Sequence, residues 1–184
     1  MLTPLLLTLL AVTVLVAVWC RQIPGACARR HNRYRQAAGR VLARLPQLAT
    51  DGARLNYLRK INPYVFEELL LLALARQGLE VVRNRSYSGD GGLDGQVFIG
   101  GRRWLIQAKR YSRAIVPGHV EEFGALLLRE QCAGLFIHTG RTGKKSYDSL
   151  RRCPSVHLVS GQRLLRLLSG ETDVIRLMRD GERS

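Results

Sequence analysis

A pair of adjacent glycines, Gly100 and Gly101, restricts the fold of this chain more than any other sequence feature. The residues on either side, 93–99 and 102–110, are rich in apolar, β-branched and aromatic side chains, which is typical of strands. Two glycines between such runs are a favourable two-residue hairpin turn. The sequence therefore predicts an antiparallel hairpin whose register is fixed by the length of its loop.

That register places three polar side chains on one face of the hairpin. Asp94 is directly opposite Gln107, and Lys109 follows on the same face because side chains alternate along a strand. The other face carries Leu93, Val97 and Ile99, which are opposite Ala108, Trp104 and Arg102. Most of this second face is apolar, so we expect it to pack against a helix.

A carboxylate, an amide oxygen and an ammonium group beside apolar neighbours indicate one specific chemistry. Asp94 suits a hard divalent cation, completed by another carboxylate and by water. Lys109 is placed to orient or help deprotonate an attacking water and to stabilise charge that develops on a phosphorane. On spacing alone, a structural Asp–Lys ion pair explains the pattern at least as well.

The sequence from Asn62 onward predicts an α/β domain with a mixed sheet. Residues 63–77 form a helix, with Asn62 as its N-cap and Gly78 as its stop. Further strands are expected at 79–82, 93–99, 102–110, 134–138 and 156–159, and further helices at 120–129, 144–151, 162–168 and 174–178. The resulting order is α-β-β-β-α-β-α-β-α.

Residues 2–19 contain no charged side chain and predict a membrane anchor within residues 1–20. As a helix this stretch is about 27 Å long, at the short end of what crosses a bilayer. Cations follow it, beginning with Arg21, whereas a cleaved signal peptide has its cations in front. The positive-inside rule then predicts a single-pass protein of the bacterial inner membrane with a cytoplasmic C-terminal domain.

Residues 21–61 are expected to form a basic helical linker beside the membrane. Residues 21–60 hold ten Lys or Arg against one Asp, a net charge of +9 out of +15 for the whole chain. Apolar residues recur at helical spacing at Val41, Leu42, Leu45 and Leu48, and Pro46 interrupts them. The cations favour a polyanionic partner, either anionic headgroups of the membrane or DNA.

Several motifs in order closely resemble the Mrr-type restriction endonucleases of the PD-(D/E)XK nuclease superfamily. They are Phe66-Glu67-Glu68, the glycine-rich residues 89–95, Gln107-Ala108-Lys109-Arg110, and the runs at 134–140 and 158–164. The resemblance covers about residues 62–169. It implies a restriction-endonuclease-like mixed sheet flanked by helices in a nuclease domain at 62–170, followed by a C-terminal helix or tail at 171–184.

The resemblance also implies a role for each matching residue. Asp94 matches the metal-binding aspartate, Gln107 the residue that replaces the usual acidic ligand, and Lys109 the catalytic lysine. Glu67 matches the helical glutamate that completes the site, while its neighbour Glu68 is the residue that a shifted alignment would choose.

The implied activity is Mg²⁺-dependent hydrolysis of phosphodiester bonds in DNA, in restriction or in processing of foreign or mobile DNA. Contacts with DNA are expected from Arg110, Lys144 and Lys145. One active site of this kind cuts one strand, so a double-strand break would require a homodimer or sequential nicking. Two other classes stay open. One is a non-catalytic nucleic-acid-binding membrane tether with a nuclease-like fold, and the other is a membrane-associated assembly factor whose basic face meets lipid.

Overall fold

The computed structural model describes residues 26–84, 93–171 and 175, and the chain divides into two units, residues 1–33 and 34–184. The predicted anchor and the glycine-rich residues 89–92 lie outside the described residues. Among the helices that are described, none is both long and apolar enough to cross a membrane.

The secondary structure from Asn62 onward follows the predicted order. Two helices precede Asn62 in the described chain: α1 (Ala26–Arg44), which ends at a 3-10 turn (Leu45–Gln47), and α2 (Asp51–Lys60). The helix α3 (Pro63–Arg76) follows Asn62. It is followed by β1 (Glu80–Val82), β2 (Gly95–Ile99), β3 (Arg102–Lys109), α4 (Pro117–Arg129), β4 (Ala133–His138), α5 (Lys144–Arg152), β5 (Val156–Ser160) and α6 (Gly161–Ser169). Of the helix predicted at 174–178, only residue 175 is described; it is helical and buried.

The helix α3 begins and ends where its capping residues predict. The Asn62 side chain accepts a hydrogen bond from the Tyr64 N–H, and Pro63 occupies the first turn, where a missing N–H costs least. Gly78 has a φ of +79°, a left-handed conformation that suits glycine and ends the helix.

The five strands form one sheet in the order β1-β2-β3-β4-β5. The first three strands are antiparallel, and β3, β4 and β5 are parallel, so the predicted mixed sheet is confirmed. Gly100 and Gly101 have φ values of +59° and +79°, as a two-residue hairpin turn requires. The register runs from Ile99 opposite Arg102 to Gly95 opposite Ile106, as a two-residue loop predicts.

The strand β2 begins two residues later than predicted because the Asp94 side chain replaces part of the ladder. The Ala108 N–H donates to Asp94 Oδ2 at 2.6 Å, and the Asp94 N–H donates to Ile106 O at 2.9 Å. Residues before Gly95 therefore leave the regular alternation. Leu93 was expected on the face of Val97, but it packs with the apolar cluster on the opposite face, so that assignment was wrong.

Helices cover both faces of the sheet. Val97, Ile99, Trp104, Ile106 and Ala108 face a core to which α3 and α6 also contribute. On the other face, Leu105 and Phe136 pack with side chains of α4, among them Val120, Phe123 and Leu127. The central strand β3 is therefore buried on both sides from Trp104 to Ala108, and Gln107 and Lys109 lie at its carboxyl end.

Part of the predicted linker contributes to the first of these cores. Val41, Leu42 and Leu45 are buried, as is Leu58 of α2, and all four belong to the same cluster as α3. Pro46 ends α1 in the 3-10 turn, as expected. The boundary predicted at residue 61 stays a prediction, but residues on its N-terminal side share the hydrophobic core of the domain.

Close packing of α4 on the sheet depends on Gly134 of β4. A Cβ added there would lie 2.6 Å from both Phe123 Cζ and Leu127 Cδ2. We expect Gly134→Ala to lower the free energy of unfolding by about 1–3 kcal/mol, because the core must shift to admit the methyl group. Denaturant unfolding of the chain in detergent micelles measures this change.

The control is Gly118→Ala on α4, the helix that packs against Gly134, because a Cβ at Gly118 meets nothing within 4 Å. This substitution should leave stability unchanged or raise it slightly, since alanine favours helix. Equal destabilisation by both variants would contradict the close approach at Gly134.

Candidate active site

Three of the predicted site residues lie together where β3 ends. Gln107 is buried and Lys109 is half-buried, and both are on the face of β3 that carries Leu105. The regular pairing of the hairpin ends at Gly95 opposite Ile106, and the Asp94 N–H, one residue earlier, also donates to Ile106 O, at 2.9 Å. The hydrogen bond from the Ala108 N–H holds the Asp94 carboxylate against β3.

Glu67 reaches the same end of the sheet from α3. This helix buries an unusually broad apolar surface, including Phe66, Leu69 and Leu70, and Glu67 is the half-buried position between them. The pKa of Glu67 is raised to about 8, chiefly by burial and further by the charges of Asp94 and Glu68, while Lys109 opposes the rise. Because Asp94 and Lys109 both affect this pKa, Glu67 lies within electrostatic range of the two hairpin residues.

Its neighbour Glu68 has different surroundings. Its side chain is only 2% exposed, and its Oε2 accepts a hydrogen bond from Arg83 Nε at 3.0 Å. This ion pair joins α3 to the residue that follows β1. Glu68 is therefore held by a cation of its own, whereas the cation that lowers the pKa of Glu67 is Lys109 of the hairpin.

The donor atoms at this end of the sheet are chemically compatible with Mg²⁺. Carboxylate oxygens of Glu67 and Asp94 and the carboxamide oxygen of Gln107 are hard ligands, the kind that Mg²⁺ prefers. A cation would also relieve the repulsion from Asp94, which adds to the effect of burial on the pKa of Glu67. Within residues 26–84 and 93–171, no group of three or more His, Cys, Asp or Glu side chains is arranged to hold a metal, so an amide oxygen or water has to complete such a site.

The three predicted DNA contacts differ in their placement. Lys144 and Lys145 are exposed in the first turn of α5. The Arg110 guanidinium is half-buried, and its NH1 group donates to the Arg59 carbonyl at 2.8 Å. Arg110 therefore contributes to the contact between the end of β3 and α2.

The last residue of β4 and those that follow it adjoin the site, and the sequence did not predict a role for them there. His138 is paired with Lys109 across the β3–β4 ladder and is fully buried. Burial lowers the pKa of His138 to about 4, and its Nδ1 accepts the Gly140 N–H at 3.1 Å. The ring is thus neutral at pH 7, with its proton on Nε2 beside the Thr142 hydroxyl.

A mixed five-stranded sheet flanked by helices, with acidic, amide and lysine side chains at the end of its central strand, defines a restriction-endonuclease-like α/β protein. The Mrr_cat restriction endonuclease family model matches residues 58–168, more than half of the chain, and the chain belongs to this family. Searches of the curated proteins and of the solved structures found no significant match. The match begins within α2, so this helix is partly included in the nuclease domain.

The raised pKa of Glu67 predicts how stability changes with pH when no metal is added. Its value of about 8 in the folded state lies above the ordinary 4.5. The folded protein therefore holds this proton more tightly, and the stability it contributes is complete below pH 4.5 and is lost as the pH rises through 8. We expect the thermal midpoint in EDTA to fall over this window, and to fall less in Glu67→Gln.

Exposed Glu80 supplies the matched control, because Glu80→Gln should keep the full pH dependence of the wild-type chain. Thermal unfolding from pH 5 to 9 compares the three proteins. An identical fall in the wild type and in Glu67→Gln would show that the Glu67 carboxyl is not buried beside Asp94.

Proposed function

We propose that this chain is a Mg²⁺-dependent DNA endonuclease that hydrolyses phosphodiester bonds. The observation that supports the proposal is the pKa of Glu67, which burial and then Asp94 raise and Lys109 lowers, so that a helix residue is electrostatically linked to two hairpin residues. Membership of the restriction endonuclease family supports the same reaction class.

Glu67, Asp94 and Gln107 are the residues that would hold the metal. When bound there, Mg²⁺ would lower the pKa of a water and neutralise charge on the scissile phosphate. The Ala108 N–H keeps the Asp94 carboxylate in one orientation through its 2.6 Å hydrogen bond. Lys109 donates to the attacking water and to the non-bridging phosphate oxygens, where negative charge develops.

Lys144 and Lys145 supply contacts to the DNA backbone in this proposal. Both side chains are exposed, and among the described residues neither lysine forms an ion pair with a carboxylate. Contacts of lysine with phosphate are independent of base sequence and weaken as salt rises. Arg110 contributes less directly, because its guanidinium already binds the carbonyl of Arg59.

The biological substrate in this proposal is foreign or mobile DNA, cleaved in the manner of a type IV restriction enzyme. A site of this kind cuts one strand, so two chains acting as a homodimer would make a double-strand break.

We also propose that residues 2–19 anchor the chain in the bacterial inner membrane. The support lies in the sequence: eighteen uncharged residues are followed by a segment with a net charge of +9. In this arrangement the nuclease domain is cytoplasmic and meets DNA at the inner surface of the membrane.

Cleavage of supercoiled plasmid tests the proposed reaction. The full chain in detergent micelles should nick plasmid with Mg²⁺ and not with EDTA. We expect Lys109→Ala and Asp94→Asn each to lower the rate by at least about 10²-fold, because each removes a group that stabilises charge in the transition state. Gel analysis of nicked and linear plasmid over time measures the rates.

Lys60→Ala and Asp148→Asn are the matched controls, since Lys60 is exposed and Asp148 binds Arg151 on α5. Both should keep the wild-type rate. A folded chain that binds DNA equally well with or without Lys109 and Mg²⁺, and cuts none, would instead be the non-catalytic tether.

A further inference from the structure

A closed circuit of hydrogen bonds surrounds the backbone of Lys109. The Thr139 N–H donates to Lys109 O at 3.3 Å, and Arg59 Nε donates to Thr139 O at 2.9 Å. Arg110 NH1 then donates to Arg59 O at 2.8 Å, and Arg110 is the residue bonded to Lys109. Three elements that are distant in sequence, α2, β3 and β4, therefore meet at the lysine.

The Thr139 side chain adds two further bonds to the same segment. Its hydroxyl accepts the Tyr111 N–H at 3.1 Å and donates to Tyr111 O at 3.0 Å. Thr139 is only 1% exposed, so water does not compete for these groups. One buried residue thus binds the chain on both sides of Arg110, at positions 109 and 111.

The chain segments around this residue are packed too closely to adjust freely. A Cβ added at Gly140 would lie 2.4 Å from Arg113 O and 2.6 Å from Tyr111 Cβ. Further along, the Ile115 N–H donates to Arg141 O at 3.0 Å, and the Arg141 N–H donates to Arg113 O at 3.1 Å. The segment that leaves β3 is thus fastened to the segment that leaves β4.

We propose that Thr139, held from α2 by Arg59, is a positioning residue for Lys109. A lysine side chain has four rotatable bonds and no planar group to orient it, so its ammonium can be aimed only if its backbone is held still. The circuit holds that backbone without touching the substrate. This inference rests on the proposed nuclease function, because Lys109 needs an exact direction only if it takes part in cleavage.

Ser146 provides a comparison that separates positioning from ordinary stabilisation. It is buried to the same degree, at 2% exposed, and its hydroxyl donates to Ile115 O at 3.3 Å. Its hydrogen bonds go to Gly143 and Ile115 and not to Lys109, Tyr111 or Thr139. Loss of the Ser146 hydroxyl should therefore affect folding and leave the direction of the lysine unchanged.

The test compares Thr139→Val, Thr139→Ser and Ser146→Ala in the full chain in detergent micelles. Single-turnover nicking in Mg²⁺ gives the rate of cleavage, and fluorescence anisotropy of a labelled duplex in EDTA gives the Kd for DNA. Valine matches threonine in shape but neither donates to Tyr111 O nor accepts from the Tyr111 N–H. We expect it to lower the rate by about 10²-fold with the Kd changed less than about twofold, since small misplacements of a reacting group have such effects.

Serine retains the hydroxyl, so Thr139→Ser should stay within about threefold of the wild-type rate, and Ser146→Ala within about twofold. Arg59→Met is the second variant, used if Thr139→Val does not fold. It keeps the packing of the stem, removes the bond to Thr139 O, and should lower the rate by about tenfold.

A folded Thr139→Val chain that cuts at the wild-type rate would overturn the inference, as would an equal loss in Ser146→Ala. If Thr139→Val does not fold, a wild-type rate in Arg59→Met overturns it instead. A wild-type chain that cuts no DNA is a different result, because it removes the proposed function itself.

Discussion

The two-residue turn at Gly100 and Gly101 is the constraint on which the rest of the site depends. Both residues have positive φ, which allows the tight connection between β2 and β3 and sets the pairing from Ile99–Arg102 to Gly95–Ile106. A slip of one residue would turn the side chain of Gln107 or Asp94 to the opposite face. The polar cluster at the end of β3 thus originates in a turn at the other end of the strand.

The site also contains a carboxyl group, that of Glu67, whose ionisation is disfavoured by its surroundings. A half-buried Glu67 beside Asp94 is unfavourable when ionised, which is why its pKa is raised to about 8. Helices pack on both faces of β3 and supply the stability that permits such a group. Perturbed carboxyl groups of this kind are typical of functional sites.

The hairpin and the cap of α3 were predictable because local rules govern them. Gly100 with Gly101 determines the register, and Asn62 with Gly78 bounds the helix. Leu93 was placed on the wrong face because alternation rules assume a regular strand, whereas the Asp94 carboxylate takes the Ala108 N–H in place of a backbone partner. Short-range patterns contain no information about that substitution of side chain for backbone.

Other features depend on contacts between distant parts of the chain. Arg59 and Thr139 are 80 residues apart, and their hydrogen bond follows from the parallel pairing of β3 with β4 and the docking of α2. The choice between Glu67 and Glu68 also required tertiary structure, because both lie on a helix that is apolar on most sides. Their surroundings differ through Arg83, which binds Glu68.

The central claim is that Glu67, Asp94 and Gln107 hold a metal beside Lys109, and locating the metal tests it most directly. With Fe²⁺ in place of Mg²⁺, ascorbate and peroxide generate hydroxyl radicals that cut the backbone near the bound ion. The account predicts cuts around residues 67, 94 and 107–109 that excess Mg²⁺ suppresses and Asp94→Asn abolishes. Two results would contradict the claim: cuts elsewhere in the chain that excess Mg²⁺ suppresses, or cuts that excess Mg²⁺ does not suppress at all.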